Sequence, residues 1–172
     1  MELRPWRQDD AQAVVDATLD PDIQQWNRPG REVTPEDARQ RIARRREGWR
    51  AERSAIWAVA RPGARAMGLI GWGDIDLRGG SAEILYWLLP GGRGGGIMAD
   101  AVVRLSQWAM DDLGLHRLRL THSVANPASC RVATKAGFAL EGTMRHALLH
   151  ADGWHDEHLH ALVRDDEGMP PT

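Results

Sequence analysis

The stretch Leu88-Leu89-Pro90-Gly91-Gly92-Arg93-Gly94-Gly95-Gly96-Ile97-Met98-Ala99-Asp100 ends one kind of structure and starts another. Before it, Ser81–Leu89 reads as a strand of aliphatic and aromatic residues. After it, Ile97–Leu113 carries Met98, Val102, Leu105, Ala109 and Leu113 at helical spacing, and Gly114 stops the run. Between them lies a glycine loop that no regular element tolerates. Backbone amides at a helix start point outward, and the helix dipole is positive there. Glycines let such a backbone approach an anion closely. A strand, then Arg93-Gly94-Gly95-Gly96, then a helix is therefore a phosphate cradle, to which Arg93 can add a charged contact.

Two other phosphate motifs fit poorly. A P-loop requires Gly-Lys-Ser/Thr, and no lysine stands here. Gly94, Gly96 and Ala99 match the letters of a dinucleotide fingerprint, but no acid closes a second parallel strand about 20 residues on, as a Rossmann ribose site wants. A glycine turn without a ligand is the bland alternative.

The sequence before the loop predicts an edge strand over Glu2–Trp6 and a helix over Gln8–Leu19, ended by Asp20-Pro21-Asp22. Thr34-Pro35-Glu36-Asp37 starts a second helix that runs to about Ala51, with Ala38, Ile42 and Trp49 inward. Ser54–Ala60, Ala66–Leu77 and Ser81–Leu89 follow as an antiparallel meander joined by short turns. After the loop and its helix come a strand over His116–Val124, a short helix capped by Asn126, and strands at Phe138–Leu140, Met144–His150 and His155–Val163. The order predicts one α+β domain over residues 1–172, with a mixed, mostly antiparallel sheet of about seven strands and about four helices, and a disordered tail at 168–172.

Composition bounds the function. The chain has 172 residues, 42% hydrophobic, with a net charge of -2, so no overall basic field calls for nucleic acid. Lys135 is the only lysine among 22 basic residues. Arg39, Arg41, Arg44, Arg45, Arg46, Arg50 and Arg53 cluster on one helix, where a solvated face is the plain reading and an acidic protein partner the sharper one. No leader or membrane span is read, and the single cysteine, Cys130, fits a reducing compartment, so the expected location is cytoplasmic. Eight tryptophans hint at a homodimer.

Five segments then occur in order: Glu83–Leu89, Arg93–Gly96, Leu113–Leu118, Asn126–Ala133 and Lys135–Gly142. Together they resemble the GNAT superfamily of N-acetyltransferases, in the branch of the ribosomal-protein N-terminal acetyltransferases (RimJ/RimL-like). The resemblance runs from Leu3 to Asp156. It implies the GNAT fold and acetyl-CoA, or another acyl-CoA, as co-substrate. It places the pyrophosphate on the backbone of Arg93, Gly94, Gly95, Gly96, Ile97 and Met98, and pantetheine strand-like along Trp87, Leu88 and Leu89. Asn126, Ser129, Arg131 and Lys135 are its further cofactor contacts. Met98 stands where relatives carry a small residue, which puts crowding of the cofactor in question.

An amine attacking a thioester must lose a proton, its oxyanion needs a donor, and the thiolate must be stabilised as it leaves. The resemblance implies the amide near Leu88 as oxyanion donor. Many members use a tyrosine at the thiolate, where this chain has Ala133; the RimL-like branch implies Ser129. Its plain alternative is a helix-capping hydroxyl. Relatives carry a glutamate base where Leu148 stands, so Glu83 is the first substitute and His122 the second. Glu83, Glu141, Asp156 and Glu157 could attract a cationic amine. His158 and His160 share one strand face and, with His150 and His155, read as a solvated face without a metal. The expected acceptor is a protein N-terminus or a small-molecule amine. A non-catalytic acyl-CoA-binding or sensing module is the alternative, motivated by Ala133 and Leu148.

Overall fold

The computed structural model describes residues 1–27, 33–51 and 55–164. The elements in chain order are β1 (Glu2–Arg4), α1 (Ala11–Leu19), α2 (Pro21–Asn27), α3 (Pro35–Arg50), β2 (Ala55–Ala60), β3 (Ala66–Asp76), β4 (Ser81–Leu88), α4 (Ile97–Asp111), β5 (Arg117–Ser123), α5 (Pro127–Lys135), β6 (Ala139–His150) and β7 (Gly153–Val163). Short 3-10 turns at Gln8–Asp10 and Pro90–Gly92 precede α1 and the glycine loop.

The strands hydrogen-bond in the order β1-β2-β3-β4-β5-β7-β6. Strand β1 pairs antiparallel with β2, and β7 antiparallel with both β5 and β6, whereas β4 pairs parallel with β5 because α4 crosses over between them. The seven-stranded mixed α+β sheet is thus the one expected. The chain clusters into two compact units, Met1–Gly71 with Tyr86–Ile97, and Trp72–Leu85 with Met98 onward; β3 and β4 each contribute to both.

In the first unit, α3 begins on a full capping box. The Thr34 side chain accepts from the Asp37 amide, and the Asp37 carboxylate accepts from the Thr34 amide. Ala38, Ile42 and Gly48 are its buried residues, whereas Trp49, expected inward, is 43% exposed and meets Trp57 edge-on at 5.0 Å. Arg45 lies over the Trp6 ring at 4.8 Å. Burial, with Arg41 nearby, lowers the Arg45 guanidinium to about 10. The arginine-rich helix is therefore not wholly solvated; Arg53 lies outside the described residues.

Among the described residues there are five α-helices, against the about four expected. Asp20 does end α1, with an extended backbone at ψ 122, but Pro21 then opens α2. The same proline that cannot continue one helix is pre-set for the first turn of the next.

In the second unit, α4 buries Met98, Ala99, Ala101, Val102, Leu105 and Ala109, and Trp108 stacks on Trp72 at 5.2 Å with an interplanar angle of 8°. Leu113, expected on that face, lies beyond the helix and is exposed. The two strands expected at Phe138–Leu140 and Met144–His150 are one bulged strand, β6, with register shifts at Leu140/Gly142 and Met144/Leu148. Positions 168–172 lie outside the described residues. Among the described residues, no helix is long and apolar enough to cross a membrane.

Candidate functional site

The glycine loop belongs to the first unit. Gly94 and Gly96 have φ of 85° and 76°, in the left-handed region that favours glycine. A Cβ built on either would meet nothing within 4 Å, so conformation and not crowding demands glycine there. Residues Arg93 to Gly96 are exposed, and no hydrogen bond ties the amides of Gly94, Gly95 or Gly96 to another described residue. Donors held outward at the start of a 15-residue helix are what an anion requires. Ile97 is half-buried and Met98 is 5% exposed. The Met98 side chain is thus packed away from solvent.

Arg93 has another partner than the expected phosphate. Its guanidinium donates to Asp22 at 2.6 Å and Asp20 at 2.7 Å, and its Nε donates to the Leu88 carbonyl at 2.9 Å. Here it braces the loop against the junction of α1 and α2. Those partners lie 71 and 73 residues away in sequence, so no local pattern announces them.

The β4 end is also partly committed. The Leu89 amide donates to the Met67 carbonyl at 2.8 Å, and the Tyr86 carbonyl accepts from Asn27. Leu89 therefore has no free amide to offer pantetheine. Successive amides of a strand point to opposite edges, so Leu88 N–H faces away from β3. Trp87 packs its ring against Trp6 at 6.0 Å.

In the second unit, β4 and β5 pair over three residues, Ser81–Glu83 against Arg117–Arg119. Glu83 sits at the end of that ladder. Its carboxylate accepts from the Thr121 hydroxyl at 2.6 Å and lies 3.8 Å from Arg119, with 31% of its side chain exposed. The other acids expected to attract an amine are engaged: Glu141 by Arg117, Asp156 by the His146 amide and Glu157 by His150. The hydrogen bonds from Arg117 hold the Glu141 carboxyl below its ordinary range.

Asn126 caps α5, its side chain accepting from the Ser129 amide at 3.1 Å. The capping role considered for Ser129 thus falls to Asn126. The half-buried Ser129 has no side-chain hydrogen bond to another described residue. Arg131 and Lys135 are exposed on the same helix, and Ala133 is fully buried.

His122 is buried, contrary to what an accessible base needs. Its Nδ1 bonds to the Ser123 carbonyl at 2.8 Å, and its Nε2 lies 3.2 Å from His160 Nε2. Burial above all, and more weakly the neighbouring histidines, lowers both imidazoles below the ordinary histidine range, against the carbonyl hydrogen bond that raises each. The histidine face is not solvated as expected. His150 and His160 are buried and His155 and His158 are half-buried. Periodicity places residues on a face but does not say whether that face is covered.

A family model described as an acetyltransferase (GNAT) domain matches residues 1–139. The Escherichia coli (strain K12) ribosomal-protein-serine acetyltransferase is 33% identical over 101 residues, covering 59% of this chain and 56% of that protein. The Bacillus subtilis (strain 168) putative ribosomal N-acetyltransferase YdaF is 32% identical over 103 residues, with the same two shares of 59% and 56%. The matched region thus spans about half the length of these curated relatives. A solved structure of RimL, the ribosomal L7/L12 alpha-N-protein acetyltransferase, in complex with coenzyme A, superposes with a TM-score of 0.84 at 23% identity, covering 95% of this chain and 94% of that one. At that identity the likeness speaks for the fold. With the matched model spanning most of its length, the chain belongs to the acetyltransferase (GNAT) domain family.

Proposed function

We propose that this protein is an N-acyltransferase that moves an acetyl or other short acyl group from CoA to a primary amine, by direct attack in a ternary complex. The observation that carries the reading is the exposed loop at the start of α4, whose left-handed glycines hold unpaired amides outward. Those amides fit a pyrophosphate, with Arg93 holding the loop in shape. Arg131 and Lys135 add positive charge on α5.

In this reading the bound thioester supplies the acyl group and a leaving thiolate. The Leu88 amide stabilises the oxyanion. The Ser129 hydroxyl, with no competing partner, donates to the thiolate. Glu83, half-exposed at the end of the β4–β5 ladder, takes the ammonium proton through water. His122 suits that task less, being buried with its Nδ1 hydrogen held by the Ser123 carbonyl. The names of the curated relatives favour a protein N-terminus as acceptor over a small amine. We infer a protein without a nucleic-acid partner from its net charge of -2, and a cytoplasmic one from its single cysteine.

The test is free-thiol release from acetyl-, propionyl- and succinyl-CoA with N-terminal peptides, polyamines and amino-sugars, beside calorimetry for CoA. Release with one amine class supports the reading and names the acceptor. One second reading has its own support. Ala133 and Leu148 stand where relatives carry tyrosine and glutamate, and Ala133 is fully buried. Tight CoA binding without release for any amine would favour a sensing module, and absent CoA binding would overturn both.

A further inference from the structure

We propose that His122, His158, His160 and Cys130 form a four-ligand site for one zinc-class divalent ion. The antiparallel register of β5 and β7 sets His122 opposite His158 and Leu120 opposite His160, so the three imidazoles share one face. Cys130 reaches the group from α5. One ligand atom from each residue lies within 4.8 Å of all the others.

The hydrogen bonds give the stronger argument. His122 Nδ1 lies 2.8 Å from the Ser123 carbonyl, and His160 Nδ1 lies 3.4 Å from the Phe138 carbonyl. A carbonyl oxygen only accepts, so both Nδ1 atoms carry their hydrogens. A neutral imidazole has a single N–H, so both Nε2 atoms present bare lone pairs. Those lone pairs face each other at 3.2 Å inside the protein. Two acceptors at that distance repel unless a positive centre lies between them. A shared proton would serve only this pair. A cation serves this pair together with the remaining two ligands. His158 Nδ1 is likewise buried with no hydrogen-bond partner among the described residues.

The dimensions and donors suit zinc. Bonds of about 2.0–2.1 Å to nitrogen in a tetrahedron place two nitrogens about 3.3 Å apart. The 3.2 Å His122–His160 separation already matches that edge, and the other ligands need to close by at most about 1.5 Å to reach it. Three imidazoles and a thiolate select a borderline-soft ion over calcium or magnesium, which prefer oxygen. The Ser123 and Phe138 carbonyls would orient the rings from behind, as outer-shell groups do in zinc sites. Four protein ligands close the coordination sphere, which makes the site structural. It would pin α5 through Cys130, one residue from Ser129, to β5 and β7. Binding converts the thiol and three neutral imidazoles into a complex of net charge +1, with the thiol proton released to the buffer.

The test uses the full chain stripped with a chelator, then titrated with zinc against a competing chromophoric chelator. Cys130 is the only cysteine, so thiol alkylation reports on it alone. The expected result is one zinc per chain, at least about tenfold slower alkylation when zinc is bound, and at least about tenfold weaker binding in Cys130→Ser and His160→Gln. Cobalt in place of zinc should give the intense visible bands of tetrahedral coordination with a thiolate charge-transfer band, the latter lost in Cys130→Ser. Alkylation unaffected by zinc, or unchanged affinity in Cys130→Ser, would overturn the site. Should His160→Gln fail to fold, alkylation of the unmodified chain still decides.

Discussion

Asp10 in the first unit and the histidines of the second are both buried, and they differ in how completely they are satisfied. Asp10, with no exposed surface, takes four hydrogen bonds: Arg4 at 2.7 and 2.9 Å, the Arg7 amide at 2.9 Å and the Ala66 amide at 2.7 Å. Burial alone would raise its carboxyl, but Arg4 and the two amides together hold it below the ordinary value. Nothing is left over for a ligand, and the pair reads as a clasp between β1, the turn before α1 and β3. His122 and His160 are as deeply buried, yet their Nε2 lone pairs are turned on each other. The Asp10 carboxylate is saturated by its neighbours, whereas the two imidazoles converge with capacity for a ligand left over.

The largest effect should come from breaking the saturated group. Asp10→Ala leaves the Arg4 charge buried without its partner and should cost about 3–5 kcal/mol in chemical denaturation. A cost below about 1 kcal/mol would mean that the pair is not buried in solution. The pair also sets an acid limit. Because the folded carboxyl titrates below its unfolded value, its contribution is full above the unfolded value, near pH 4, and is lost as pH falls through the folded one. Asp10→Asn should therefore flatten the loss of stability as pH falls below about 4 relative to the parent chain. An identical slope would show that Asp10 does not supply it.

Ser129→Ala comes next. It should lower turnover about 100-fold, near 2.7 kcal/mol, with acyl-CoA affinity unchanged. A loss confined to affinity would return Ser129 to a binding role. Gly96→Ala forces a side chain to φ 76° and should strain the loop by about 1–2 kcal/mol, weakening CoA binding roughly tenfold in calorimetry. Unaltered binding would detach the loop from the pyrophosphate. The smallest effect belongs to the exposed Arg117–Glu141 pair. Removing Arg117 should change stability by less than about 1 kcal/mol, however good its geometry. Together these rank saturated interior, functional loop and solvated surface.

Local chemistry was legible wherever a few neighbouring residues suffice. The Thr34 and Asn126 caps formed as the sequence predicts, since a cap involves a side chain and an amide three residues on. Gly114 and Gly137 take the positive φ that ends α4 and α5, at 71° and 84°. The glycine loop, the crossover and the parallel β4–β5 pair follow from the strand–loop–helix order. Less legible was α2, because Pro21 both stops and starts a helix and the sequence shows only the stop.

The sequence by itself determined the run of the strands and of the helices other than α2, the glycine loop before α4, the family, and the shared face of His158 and His160. All of these rest on contacts between near neighbours or on strand period. Only the tertiary structure decided that Arg93 is clasped by Asp20 and Asp22, that the Leu89 amide belongs to Met67, and that the histidine face is covered. Each of those depends on which distant segment arrives beside a residue, and periodicity carries no information about that arrival.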